Sequence, residues 1–332
     1  MNLDPAIIGG FTSRRAAALA VALALLAPAA AGAQEPPPPA PAPPPIPKIT
    51  MVAKDVLRAG GEQVVLRRRT FSLVGAMTPA VAGQRVQLAV HRDGKRVRTV
   101  RARVAADGTF SRRVPTSRVG RISVRARHEA TPELGAARGP KVSVEVVAAW
   151  ASGGASGPLV RLLQRGLAKL HYAVPRNGSY DAGTARAVMA FRKVNRMAWR
   201  YYADRRVISN VLAGKGAFKP RHPEAGHHVE ADISRQVLAL IDGGVVVATY
   251  HTSTGAPATP TIIGSFRVYL KTRGTNAKGM VHSSYFIRGY AIHGYVEVPA
   301  LNASHGCLRV SIADSWRIYK WIRHGDRVIT YP

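Results

Sequence analysis

The hydrophobic period of this chain changes twice, and that limits its fold more than any other feature. From about Ile49 to Ala148 apolar residues alternate with polar ones, as in "RVQLAVHRDGKRVRTVRARVAADGTFSRRV" (Arg85–Val114). A period of two puts alternate side chains on one face of a strand. Asp93-Gly94 and Asp107-Gly108 break the pattern and read as hairpin turns. "RISVRARHEA" and "KVSVEVV" add two more strands. Short strands over about 100 residues with no helical period predict an antiparallel β-sandwich, immunoglobulin-like, over 49–148.

After a Gly/Ser stretch, "ASGGASG" within 149–157, which reads as a flexible linker, the period becomes helical. Leu159, Leu162, Leu163, Leu167 and Leu170 fall on one helical face. Asp181 is placed to cap a second helix with Val188, Phe191 and Val194 inward, and a third helix near Ser209 stops at Gly214. The stretch "LVRLLQRGLAKLHYAVPRNGSYDAGTARAVMAFRKVNRM" resembles the three-helix peptidoglycan-binding domain. Val160, Leu163, Gln164, Leu167, Gly178, Tyr180, Thr184, Ala187, Val188 and Phe191 carry the likeness, and Arg192 stands where that family has glutamine. The module is expected over 158–215 and implies peptidoglycan as a partner.

From about Gly226 to Pro332 the period returns to two. Asp242-Gly243-Gly244 joins two runs as a hairpin, and "GSFRVYLKT", "SSYFIRGYAIHG" and "DRVITYP" supply further strands. Ser311 with Asp314 opens one late helix, carrying Ile312, Trp316 and Tyr319 on a face. His227 and His228, ahead of the first strand, read as surface residues. The expected architecture is therefore multidomain: a sandwich, a small helical bundle and a mostly-β domain with one helix.

The N-terminal stretch reads as a targeting element. Arg14 and Arg15 precede "AAALAVALALLAPAA" and the small-residue site "AGA", the pattern of an export signal over 1–33, with an uncleaved anchor as the alternative. "EPPPPAPAPPPIP", within 34–48, is a semi-rigid polyproline spacer. The expected location is exported, in the periplasm or at the cell wall. Lys and Arg outnumber Asp and Glu by 48 to 18, a net charge of +30, which points to a polyanionic neighbour. For an exported chain that means anionic wall polymers or lipid headgroups, with nucleic acid set aside. Solvated surface arginine with no partner is the alternative.

Within "NASHGCLRVS" (Asn302–Ser311) stands Cys307, the one cysteine of the chain. A single cysteine forms no intramolecular disulfide, so it is a bystander, an intermolecular link or a working thiol. A working thiol needs a base or a positive field. His282, His293 and His305 are near in sequence, and in an extended chain His305 would share a face with Cys307. Gly306 leaves room beside the thiol, neighbouring backbone N–H groups can form an oxyanion hole, and Arg309 suits a substrate carboxylate.

His293-Gly294, a loop, then Ser304-His305-Gly306-Cys307-Leu308-Arg309 resembles the signature of the L,D-transpeptidase (YkuD) catalytic domain. "STG" (253–255), "TPTIIGSF" (259–266) and the ending "GDRVITYP" resemble its other segments, so the likeness runs over 226–332. The resemblance implies Cys307 as nucleophile, His293 as its base and the Gly294 carbonyl orienting His293. It further implies His305 as support, Ser304 holding the loop and Arg309 steering substrate or bracing the wall. The implied reaction is acyl transfer from a peptidoglycan stem tetrapeptide, with D-alanine released and a 3-3 cross-link formed. Hydrolysis or attachment of a wall protein would use the same acyl-enzyme. No cofactor is expected. Three other readings compete: a zinc site of His282, His293, His305 and Cys307; a catalytically silent wall-binding protein; and a thiol oxidoreductase, which lacks a second cysteine.

Overall fold

The computed structural model describes residues 41–332. The expected export signal lies outside them, as does much of the proline-rich stretch. The alternating region forms β1 (Lys48–Lys54), β2 (Leu57–Ala59), β3 (Glu62–Leu66), β4 (Thr70–Thr78) and β5 (Arg85–Arg92). It continues with β6 (Lys95–Arg103), β7 (Thr109–Pro115), β8 (Gly120–His128) and β9 (Ala137–Val147). These strands make two sheets, β1-β4-β7 and β2-β3-β9-β8-β5-β6. Met51, Phe71 and Leu73 from one sheet, with Leu88, Val124 and Val144 from the other, fill a single core between them. Each sheet thus buries the face that its alternation makes apolar.

Two sequence expectations change here. The Asp93-Gly94 turn does join β5 to β6, with φ of 49° and 84° as a type I′ turn requires. Asp107-Gly108 is not a hairpin, because β6 pairs with β5 whereas β7 pairs with β4. Asp107 accepts hydrogen bonds from the Thr109 backbone N–H and hydroxyl at 2.9 and 2.8 Å, and this turn sends the chain from one sheet to the other. The sandwich is also not wholly antiparallel, since β3 runs parallel to β9.

The Gly/Ser stretch is tied down at its ends. Ala151 and Ala203 exchange backbone hydrogen bonds of 2.9 and 2.8 Å, and Gly157 N–H donates to the Gly178 carbonyl. The helices are α1 (Pro158–Lys169), α2 (Ala182–Val194) and α3 (Arg205–Leu212), with Asp181 capping α2 through the Thr184 N–H at 2.8 Å. Buried Gln164 donates to Asn177, the Ser179 carbonyl and Thr184 and accepts from Gly178 N–H, so the turn between α1 and α2 is wrapped round one amide. Arg192 is buried: it pairs with Asp204 at 2.6 Å and donates to the Tyr202 and Ala198 carbonyls, pinning the approach to α3. Leu162 packs against Ala59 and Val64 of the sandwich.

The last region comprises β10 (His228–Asp232), β11 (Val237–Asp242), β12 (Val245–His251), β13 (Gly264–Arg267) and β14 (Leu270–Thr275). It is completed by β15 (Val281–Ile287), β16 (Tyr290–Tyr295), β17 (Leu308–Ser311), α4 (Ile312–Trp321) and β18 (Arg327–Tyr331). The sheets are β12-β11-β10-β18-β13 and β14-β15-β16-β17, and Val229, Leu240, Ile292, Leu308, Ile318 and Val328 share a core. Two single-strand expectations split. "GSFRVYLKT" breaks between β13 and β14, which belong to different sheets, and "SSYFIRGYAIHG" turns at Arg288-Gly289 into the β15–β16 hairpin.

His228 is fully buried and His227 stacks on Trp321 at 3.8 Å, against the surface expectation. The reason is that β10 lies inside the five-stranded sheet and is buried along its whole length. Ser311 caps α4 through the Ala313 N–H, but Asp314 does not close a capping box. Its carboxylate pairs instead with Arg186 of α2 at 3.0 Å. No helix among the described residues is long and apolar enough to cross a membrane.

Candidate active site

β16 and β17 run side by side in parallel, with His293 opposite Arg309 and Ile292 opposite Leu308. Alternation along β17 puts Arg309 on the face opposite to Leu308, and continuing it back one residue brings Cys307 to that same face. His293, Cys307 and Arg309 all line one cavity of about 720 Å³. Ser304 and His305 also line it, with Tyr285, Gly289 and Tyr295 and with Asn276, Ala277, Lys278 and Met280 of the turn between β14 and β15.

His293 is buried, and its Nδ1 lies 2.9 Å from the Gly294 carbonyl. A carbonyl only accepts, so Nδ1 carries the proton and Nε2 keeps the lone pair. Burial, with a smaller push from the Arg309 charge, lowers the His293 pKa to about 4, against the bond to Gly294. The ring is neutral at pH 7. Burial likewise raises the Cys307 thiol, while the Ala291 backbone and the Arg309 and Lys278 cations pull it back in part. The Cys307 Sγ is 3.8 Å from the Gly289 carbonyl.

Gly294 serves packing as well as orientation. A Cβ there would stand 2.7 Å from the Ser315 side chain, so only glycine lets α4 lie this close to β16. Gly306 has φ of 107°, and a Cβ on it would meet the Tyr290 ring at 1.8 Å. Ser304 is a knot: its hydroxyl donates to the Cys307 carbonyl at 2.6 Å and accepts from Gly306 N–H at 3.1 Å. That bond commits the Gly306 N–H, so an oxyanion donor must be another backbone N–H of the loop. Thr259 and Thr261 hydroxyls hold the Ser304 and Gly306 carbonyls from outside.

His305 differs from its expected setting. Residues 305–307 form bends, not an extended strand, and His305 is exposed at the cavity with no hydrogen bond to its ring among the described residues. The guanidinium of Arg309 lies 4.1 Å over the Tyr295 ring and donates to the Ala303 carbonyl, which fixes its position in the wall. His282 is not brought to the site. It packs on Trp316 and Tyr319 of α4 at 4.9 and 5.8 Å. Among the described residues no three His, Cys, Asp or Glu side chains are grouped to hold a metal ion.

Residues 226–330 match the family of the L,D-transpeptidase catalytic domain (YkuD). A crystal structure of an L,D-transpeptidase (residues 123–326) from Xylanimonas cellulosilytica is similar at 31% identity and a TM-score of 0.52, covering 55% of this chain and 97% of that one. The chain belongs to the L,D-transpeptidase family. Residues 156–198 match the peptidoglycan binding domain family, which takes in α1 and α2. An L,D-transpeptidase from Stackebrandtia nassauensis aligns at 19% identity and a TM-score of 0.34 over 55% of this chain and 95% of its own. One from Mycobacterium smegmatis aligns at 14% and 0.29 over 85% and 99%. No curated protein matches the chain.

In this L,D-transpeptidase a support for the site comes from outside the catalytic sheets, and sequence reading missed it. Lys193 of α2 is buried, with its Nζ 2.9 Å from His251 Nδ1 and 3.3 Å from the Gln236 and Thr252 carbonyls. His251 Nε2 in turn reaches the Val298 carbonyl, in the loop between His293 and Cys307, at 3.1 Å. Thr252 and Ser253 bond to the Arg309 backbone. Burial lowers the Lys193 pKa to about 6, and burial followed by the Lys193 charge lowers that of His251 to about 3. The turn bearing Asn276 and Lys278 was also missed, because a polar turn gives no sign of the cavity it overhangs.

Proposed function

We propose that this protein is an exported L,D-transpeptidase that acylates Cys307 on a peptidoglycan stem tetrapeptide and passes the acyl group to a second stem. The observation that carries this reading is the His293 Nδ1 bond to the Gly294 carbonyl, which leaves Nε2 unprotonated on a ring that lines the same cavity as Cys307. A neutral imidazole takes the thiol proton as sulfur attacks the carbonyl of the third stem residue. The C–S bond forms, and the C–N bond to the terminal D-alanine breaks. That amine leaves with the proton held by His293. The side-chain amine of a second stem, a diamino acid, then attacks the thioester, returns its proton by way of His293 and frees the thiol, giving a 3-3 cross-link. Water in place of the amine gives hydrolysis, and a protein amine gives wall attachment.

Arg309 is assigned to the substrate carboxylate, because Tyr295 and Ala303 hold its guanidinium in the wall. Ser304 and Gly306 shape the loop, and His305 is assigned a supporting role. The chemistry uses no cofactor or metal, and stem peptide and glycan are the partners. The N-terminal sandwich is assigned to the immunoglobulin-like type, an assignment supported by its two sheets facing each other round one core, with the parallel β3–β9 pairing as a departure from it. The division at 49–148, 158–215 and 226–332 follows the same reading, as does a location in the periplasm or at the wall, which rests on the sequence pattern of residues 1–33.

The test is incubation with a disaccharide tetrapeptide, followed by mass analysis. Wild type is expected to release D-alanine and form the cross-linked dimer, and Cys307→Ala to do neither. A wild-type protein that does neither ends the enzyme reading in favour of a wall-binding protein. His293→Ala should abolish acylation while His305→Ala retains it; the reverse result would exchange their roles.

A further inference from the structure

The outer face of the six-stranded sheet carries cations that acyl transfer does not use. Val86, Leu88 and Val90 of β5 point into the sandwich core, so Arg85, Gln87, Ala89 and His91 face outward. The strand register lays their neighbours beside them. Arg85 is opposite Arg103; Gln87 lies between Arg101 and Arg127, and Ala89 between Thr99 and Arg125. One strand further, Arg127 is opposite Arg138 and Arg125 opposite Lys141. All seven cations are exposed. Among the described residues none of them forms an ion pair, although Glu129 and Glu133 share a cleft with Arg85 and Arg101 and Glu145 shares one with Lys141; the ion pair on this face is Arg121 with Glu145 at 3.3 Å.

Like charges directly opposite each other across a ladder destabilise a sheet, and this face contains three such pairs. A surface selected for solubility alone would intersperse the two signs. The cations do not converge on one point. They spread over three inter-strand steps, about 14 Å, and repeat at about 7 Å along a strand. A small anion would meet one or two of them, whereas a polymer with regular charges would meet a row. Six of the seven are arginines, whose forked donors match phosphate oxygens. Within β5, β6, β8 and β9, Val97 is the one exposed large apolar residue, so the face lacks the apolar anchors of a bilayer-docking surface.

We infer that this face docks a linear polymer with a phosphodiester backbone, laid across β9, β8, β5 and β6, and so holds the enzyme against it. The test uses the full chain and poly(glycerol phosphate), with affinity measured over a range of salt. One variant neutralises the face: Arg101→Gln, Arg125→Gln, Arg127→Gln and Lys141→Gln. A control neutralises Lys215, Lys219, Arg323 and Arg327, exposed residues elsewhere. The face variant is expected to lose about tenfold or more in affinity, with the log–log salt slope falling by about three. The control should lose less than threefold. Without polymer the face variant should melt no lower than wild type, since its repulsions are removed. Equal losses in both variants would reduce the effect to net charge and overturn the proposal. So would binding of polyglutamate, phosphate-free peptidoglycan or anionic vesicles with the same dependence on these four residues.

Discussion

Cys307 and His293 rest as a neutral thiol and a neutral imidazole. Burial raises one pKa and lowers the other to about 4, so proton transfer from sulfur to the ring is unfavourable in the resting site. Alkylation of Cys307 by iodoacetamide is therefore expected to rise with pH through a single ionisation above the ordinary thiol value, with no plateau near neutrality. His293→Ala should leave that curve nearly in place while turnover is lost. A rate already level below pH 7 would show a preformed thiolate and contradict this account. The His-Gly and Ser-His-Gly-Cys spacing made the pair legible, because parallel strands can bring two distant dipeptides into register. Gly306 was legible only as small. Its φ of 107° carries no sequence signal, and the Tyr290 ring stands against it because the chain turns at Arg288-Gly289, where alternation predicts unbroken strand.

Among the elements, α2 reaches furthest beyond its own module. Its inner face was legible from Val188, Phe191 and Val194, yet Lys193 beside them reads as solvated. Its burial follows from a second contact, of α2 against β12, that no helical period encodes. Through His251 it supports the Val298 carbonyl, and through Thr252 it backs the segment paired with Arg309. Lys193→Met keeps the length and the apolar stem but leaves three acceptors without their donor, at about 1–3 kcal/mol for each buried group left unpaired. Helix content by circular dichroism should be unchanged. kcat is expected to fall about tenfold with KM changing less, since the loops behind Cys307 and Arg309 loosen while the cavity wall from β14–β15 remains. An unchanged kcat would show that the strut carries stability alone.

Across the whole molecule the two changes of period gave the modules but not their docking. Residues 44–332 form one compact unit. Leu162 inserts between sandwich residues, Tyr172 pairs with Thr249 at the edge of the catalytic sheet, and Arg186 reaches Asp314. Thermal unfolding is therefore expected as one cooperative transition in calorimetry, not three. Its pH dependence follows from the buried bases. His293 and His251 have folded values of about 4 and about 3, below the ordinary 6.5, so the unfolded chain binds their protons first. Their stabilisation is complete above about pH 6.5 and is lost as pH falls towards 4 and then 3, with His293 alone worth of order 3 kcal/mol. Lys193, lowered from 10.5 to about 6, has the same sign in a higher window, so stability also declines from about pH 10 down to 6. The melting temperature should thus fall steadily on acidification, and His293→Asn should flatten the part between pH 6.5 and 4. A wild-type melting temperature constant from pH 7 to 4 would mean that these rings do not stay neutral in the folded chain, and the neutral-pair account of the active site would fall with it.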